Sequence, residues 1–136
     1  MTRAFGIAGA LAVLAAGLCA ETTAEQDRMV INPLSGRDFE VVEDITYGAA
    51  EFWCGAATYV ERRNGLPGNT AIYVKKPRGA SVTAPGRKAV VFTLDPRGLP
   101  QDDGQRFSLT VDTAGVMLSA VRARSYCRDA FTRSTK

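Results

Sequence analysis

The sequence predicts a small α+β domain: an antiparallel sheet of about four strands, two helices packed on one face, and one disulfide joining the helices. Three observations predict it. The chain has 136 residues, 46% hydrophobic and 23% charged, which is one domain's length with an ordinary apolar content. Its apolar segments run strand, helix, three strands, helix, and the short turn-rich connections favour antiparallel pairing. Once an amino-terminal signal is set aside, two cysteines remain, one in each helical segment.

Residues 1–20 read as a cleaved secretory signal. Arg3 supplies a cationic start, and Ala4 to Ala20 is uncharged and rich in Ala and Gly. That run is about 17 residues, the lower limit for a membrane-spanning helix, and an uncleaved anchor is the alternative reading. Leu18-Cys19-Ala20 before Glu21 offers a cleavage site, and cleavage after Ala24 is a second choice. Against a lipidated Cys19 stands Leu18, a bulky residue where a lipidation box has Gly or Ala. Export places the mature chain in the periplasm or outside the cell, with no membrane span left after cleavage.

Residues 21–37 are polar, with turn signals at Asn32-Pro33 and Ser35-Gly36, and read as a flexible lead-in to a single domain over 38–131. Phe39 to Asp44 alternates loosely and carries β-branched residues, so a strand is expected. Thr46 is a candidate cap for a helix from Ala49 to Arg63. At about 100° per residue, Phe52, Trp53, Ala56, Ala57, Tyr59 and Val60 fall within an arc of about 160°, a core-facing stripe with Cys54 at its edge. Asn64-Gly65 is the stop signal. Thr70 to Val74 is a short strand ending at Lys75-Lys76-Pro77, and the turn-rich stretch Arg78 to Lys88 follows. Ala89 to Leu94 is the most continuously apolar strand and the expected centre of the sheet. Phe107, Leu109 and Val111 alternate with polar residues, as a half-buried strand does. A helix is expected from about Ala120 to Asp129; Val116 to Arg122 is compatible with either strand or helix. Residues 132–136 form a tail.

The function classes are narrowed mainly by exclusion. The histidine count is 0, so the commonest general base and metal ligand is missing, and no Ser/His/Asp or Cys/His arrangement can be assembled. No cofactor is implied: the glycines of the mature chain are scattered through turns rather than gathered into a phosphate loop. Two cysteines without histidine make a poor zinc site, and no CxxC is present. A net charge of +3, falling by one when Arg3 leaves with the signal, argues against nucleic acid. Arg122, Arg124, Arg128, Arg133 and Lys136, opposed by Asp129, read as a solvated face and tail.

The candidates that remain are few. Cys54 and Cys127 are an even pair in an oxidising compartment, so a structural disulfide is expected. Closing so long a loop contributes up to about 4 kcal/mol on the chain-entropy model. Lys75, Lys76, Arg87 and Lys88 flank the central strands and are candidate contacts for an anionic ligand. Asp95, Asp102 and Asp103 are the carboxylates a histidine-free hydrolase or lyase would use, but they lie in turn sequences where Asp bonds its own backbone. Tyr47, Trp53 and Tyr59 are aromatic enough for a stacking surface, although helical spacing assigns the last two to the core.

Taken with the signal, the segments Phe39-Glu40-Val41-Val42-Glu43, Trp53-Cys54, Ile72-Tyr73-Val74, Val91-Phe92-Thr93-Leu94-Asp95 and Ala123-Arg124-Ser125-Tyr126-Cys127 resemble a group of small exported proteins of unknown function from Rhodobacter- and Roseobacter-type alphaproteobacteria. The resemblance covers most of residues 37–128. It implies export and a Cys54–Cys127 pairing, and it carries no activity or catalytic residue. The expectation is therefore a non-enzymatic exported domain that binds an unidentified envelope protein or ligand.

Overall fold

The apolar alternation of Phe39-Val41 and of Val90-Phe92 sets two paired strands side by side with one apolar face toward the helices, and the rest of the fold is built outward from them. In the computed structural model, which describes residues 24–132 other than Thr46 and Phe107, the elements are β1 (Ile31–Pro33), β2 (Asp38–Val42), α1 (Ala49–Ala57) continuing into a π-helical segment (Thr58–Arg63), β3 (Ala71–Ala80), β4 (Lys88–Thr93), β5 (Met117–Ser119), α2 (Ala120–Ser125) and α3 (Cys127–Thr132). The sheet has five strands in the order β1-β2-β4-β3-β5, every pair antiparallel. β4, the most apolar strand, is central, as its sequence requires.

One face of the sheet carries Phe39, Val41, Val74, Val90 and Phe92, all fully buried against the helices. Phe39 stacks on Tyr59 with ring centroids 4.0 Å apart, and Trp53 meets Phe92 at 5.0 Å. The Trp53 indole N–H donates to the Thr110 carbonyl at 2.9 Å, so the largest core side chain loses no hydrogen bond on burial. Gly55 lets α1 approach this closely: a Cβ there would lie 2.6 Å from Val41 Cγ1. α2 and α3 pack beside α1 in the same layer. The Cys54–Cys127 disulfide joins α1 to α3 across a sequence separation of 73, with Cα atoms 4.7 Å apart.

Four expectations need correction and one open choice is resolved. The lead-in is ordered from residue 24 onward: 24–28 form a helical turn, and β1 is an edge strand whose Ile31 is buried with Met29. Those apolar positions are too few to register as a period, and pairing with β2 orders them. β3 runs through Lys75-Lys76-Pro77 to Ala80 instead of ending there. Pro77 is tolerated because the ladder to β4 is bulged on both sides of Lys76, and β5 covers only residues 71–73 of the outer edge. Ser108 to Asp112 forms no strand; Leu109 and Val111 face the core, but the Thr110 hydroxyl turns the backbone by accepting from Asp112 N–H at 3.0 Å. The strand beside β3 is β5 instead. The ambiguous Val116–Arg122 stretch divides at Ser119, whose hydroxyl caps Arg122 N–H, so the sheet ends and α2 begins there. The carboxy-terminal helix is two short helices hinged at Tyr126 and reaches Thr132.

The expected cap Thr46 and residues 1–23 lie outside the described residues. Gly48 is the N-cap of α1, and Glu51 accepts its N–H at 2.8 Å. Gly65, with φ of 62°, closes the helical run where Asn64-Gly65 signals the stop. Among the described residues no helix is long and apolar enough to cross a membrane.

Candidate functional site

The four basic residues singled out in the sequence do not converge. Lys75 pairs with Asp38 at the start of β2, while Arg87 donates to the Glu43 carbonyl at 2.6 Å, just past its end. Five residues of extended chain separate those points, roughly 17 Å. Lys76 and Lys88 are exposed on opposite arms of the β3–β4 hairpin. No single anion patch is formed by Lys75, Lys76, Arg87 and Lys88.

Lys75 instead belongs to a polar groove that the sequence does not advertise. The β1–β2 turn crosses Ser35-Gly36, where φ of 66° requires glycine. This turn sets Arg37 beside the loop that leaves β4. Register does the rest: Asp38 pairs with Thr93, and Thr93 with Tyr73, so β2, β4 and β3 present one end of the sheet together. The resulting groove, about 230 Å³, is lined by Arg37, Asp38, Lys75, Thr93, Asp95 and Arg97 among others. A second cavity of about 410 Å³ adjoins it; Arg37 lines both, and Leu66, Ala71, Tyr73 and Leu94 line the second.

The charges in the groove are partly committed. Arg97 grips Asp95 with Nε and Nη2, at 2.9 and 2.7 Å from Oδ2, and its backbone N–H adds a bond of 3.1 Å to Oδ1. Those bonds from Arg97 hold the Asp95 carboxyl down at about 2, and the Arg37 charge adds to the effect. Such a carboxylate is a poor proton acceptor at neutral pH. Asp102 is paired with Arg106 at 2.6 Å, and Asp103 accepts from Gln105 N–H at 3.0 Å. These are turn duties, and the candidate carboxylates do not gather around a shared point. Arg37 makes no side-chain hydrogen bond or close ion pair to another described residue, although its charge reaches Asp95; with Arg37, Lys75 and Arg97 facing Asp38 and Asp95, the groove keeps one net positive charge.

The aromatic candidates fall to the core. Trp53 is fully buried, Tyr59 stacks on Phe39, and Tyr47 sets its ring edge-on to Phe52 at 5.6 Å. Burial, with Asp44 and Glu51 nearby, pushes the Tyr47 hydroxyl up to about 12. Among the described residues no three of Cys, Asp and Glu gather as a metal site.

Glu40 is the buried charge that the sequence conceals, since it sits in an apolar strand where alternation alone assigns it to solvent. On the sheet face opposite the helices, the β3–β4 loop folds back over this carboxylate. Glu40 accepts from Val82 N–H at 3.0 Å, Thr83 N–H at 2.9 Å, the Ser81 hydroxyl at 2.7 Å and the Thr83 hydroxyl. Asn32 Nδ2 donates in turn to the Thr83 hydroxyl at 2.8 Å. Burial acts to raise the Glu40 pKa, but the bonds from Thr83, Ser81 and Val82 outweigh it and leave the group below its ordinary value. The hydroxyl pattern Ser81-Val82-Thr83 in a turn is the one sequence signal that could have suggested such a cradle.

The second buried polar cluster lies at the disulfide. Gln26 Nε2 donates to Thr58 Oγ1 at 3.1 Å and approaches Cys127 Sγ at 3.3 Å, so the first described helical turn covers the cross-link. An α+β domain with a helix-to-helix disulfide and a charged groove at one end of its sheet is the class of molecule these features define. No family model, curated protein or solved structure matches the chain.

Proposed function

We propose that this chain is an exported, non-enzymatic domain of the periplasm or extracellular space that binds an envelope partner or ligand. The observation that carries the reading is the Cys54–Cys127 pair, set at bonding distance inside the core and covered by Gln26. A buried structural disulfide belongs to a compartment where thiols oxidise. The uncharged run after Arg3, ending at Leu18-Cys19-Ala20, supplies the matching address. The binding role is favoured over a carboxylate-dependent hydrolase or lyase because Asp95 and Asp102 each answer a neighbouring arginine on an exposed turn. The small exported alphaproteobacterial proteins that the sequence resembles are its proposed relatives.

The test is the intact mass of the protein produced with its own leader, alkylated with and without prior reduction. A mass starting at Glu21 or Glu25, with two alkylations only after reduction, is the expected result. A retained leader, or thiols that label without reduction, would overturn the reading.

A further inference from the structure

We infer that the groove at the sheet end is a binding site for a small amphiphilic carboxylate, its head group held at Arg37 and its hydrocarbon part laid along Leu66, Tyr73 and Leu94. This rests on the reading of the chain as a binding domain and names the ligand class for it. Two adjoining cavities of opposite character share one residue, and that residue is the unpaired cation. Lys75 and Arg97 answer Asp38 and Asp95, so the two acids of the groove are already neutralised. The Arg37 guanidinium keeps its planar fork of donors, which matches a carboxylate's two oxygens. An ammonium has three donors, so Lys75 has hydrogens to spare after bonding Asp38. A dianion would exceed the one net positive charge of these side chains. An inorganic anion would leave the second cavity, with its leucines and the Tyr73 ring, unused. Leu66 is 38% exposed, an apolar side chain left in water beside the cation. A charge at one end and an apolar wall at the other select a molecule built the same way.

The test is titration of the oxidised protein with octanoate, octanol and acetate, followed by amide chemical shifts. Octanoate is expected to saturate with a Kd on the order of 1 mM or tighter. Shifts should appear at Gly36 and Thr93 from the head group and at Ala71 and Leu94 from the chain. Acetate and octanol, each carrying half of the recognised chemistry, should bind at least about tenfold more weakly. Arg37→Ala, a surface change that leaves the core intact, should weaken octanoate about tenfold without altering the octanol response. Leu66→Ala should weaken octanoate about threefold and leave acetate unchanged. Equal binding of octanol and octanoate, an unaltered Kd in Arg37→Ala, or octanoate shifts confined to another face would each overturn the site. Failure here, in a protein whose exported form still carries the oxidised pair, removes the ligand and leaves the export reading standing.

Discussion

Glu40 shows how one side chain can fix a loop. Its carboxylate gathers four donors from three consecutive residues, Ser81 to Thr83, and so ties the β3–β4 loop to β2. Glu40→Gln replaces an acceptor-only group with one that brings donors of its own, leaving N–H or O–H groups under the loop unanswered. The expected loss is about 1–3 kcal/mol in a urea unfolding experiment at neutral pH. The sign of the pH effect follows from the lowered pKa. A carboxylate more acidic in the folded protein stabilises it above its unfolded value, 4.5, and that contribution disappears as pH falls through the folded value. The gap in stability between wild type and Glu40→Gln should therefore be widest above about pH 5 and close progressively below the ordinary glutamate range. A gap unchanged by acid would show that Glu40 does not act as an ionised anchor.

At the scale of elements, the approach of α1 to β2 leaves no room for a side chain at Gly55. Gly55 faces Val41, and any side chain there meets a stiff β-branched residue that is itself fully buried. Gly55→Ala gains helix propensity of up to about 1 kcal/mol, yet the forced shift of helix from sheet costs about 1–3 kcal/mol. A net destabilisation in thermal unfolding, against a neutral or positive result for alanine at an exposed helical site, is the expected outcome. The elements also show what the sequence could reveal. What was legible had a local signal: α1 follows from its helical apolar period and the central position of β4 from its unbroken apolar run, while the cysteine pairing follows from an even count and from the resemblance. Elements whose identity depends on a partner were not. β1 and β5 are three residues each and become strands only because β2 and the start of β3 offer open edges. The Leu109-Val111 alternation is real, but it records two side chains facing the core; a hydroxyl-bonded turn takes the backbone away from any ladder. The groove escaped notice for the same reason: Arg37, Lys75 and Arg97 are far apart in sequence and meet only through strand register.

At the scale of the whole molecule, the disulfide sets the margin of stability. The 73-residue separation of its cysteines contributes up to about 4 kcal/mol, against about 5–15 kcal/mol for a typical domain. Reduction should lower the unfolding free energy by about 2–4 kcal/mol, read as a fall in the urea midpoint between oxidised and reduced samples. A change below about 1 kcal/mol would mean that the core alone maintains the fold. The cover over that bond has a further consequence. Gln26 and Cys127 touch across 101 residues of chain, so the described segment closes on itself like a ring. A polypeptide emerging amino end first must hold its opening turn and the helix bearing Cys54 without their partners until the last helix appears. Its core is thus completed by the latest arrival, and closure by contacts so distant in sequence is the kind that favours slow folding.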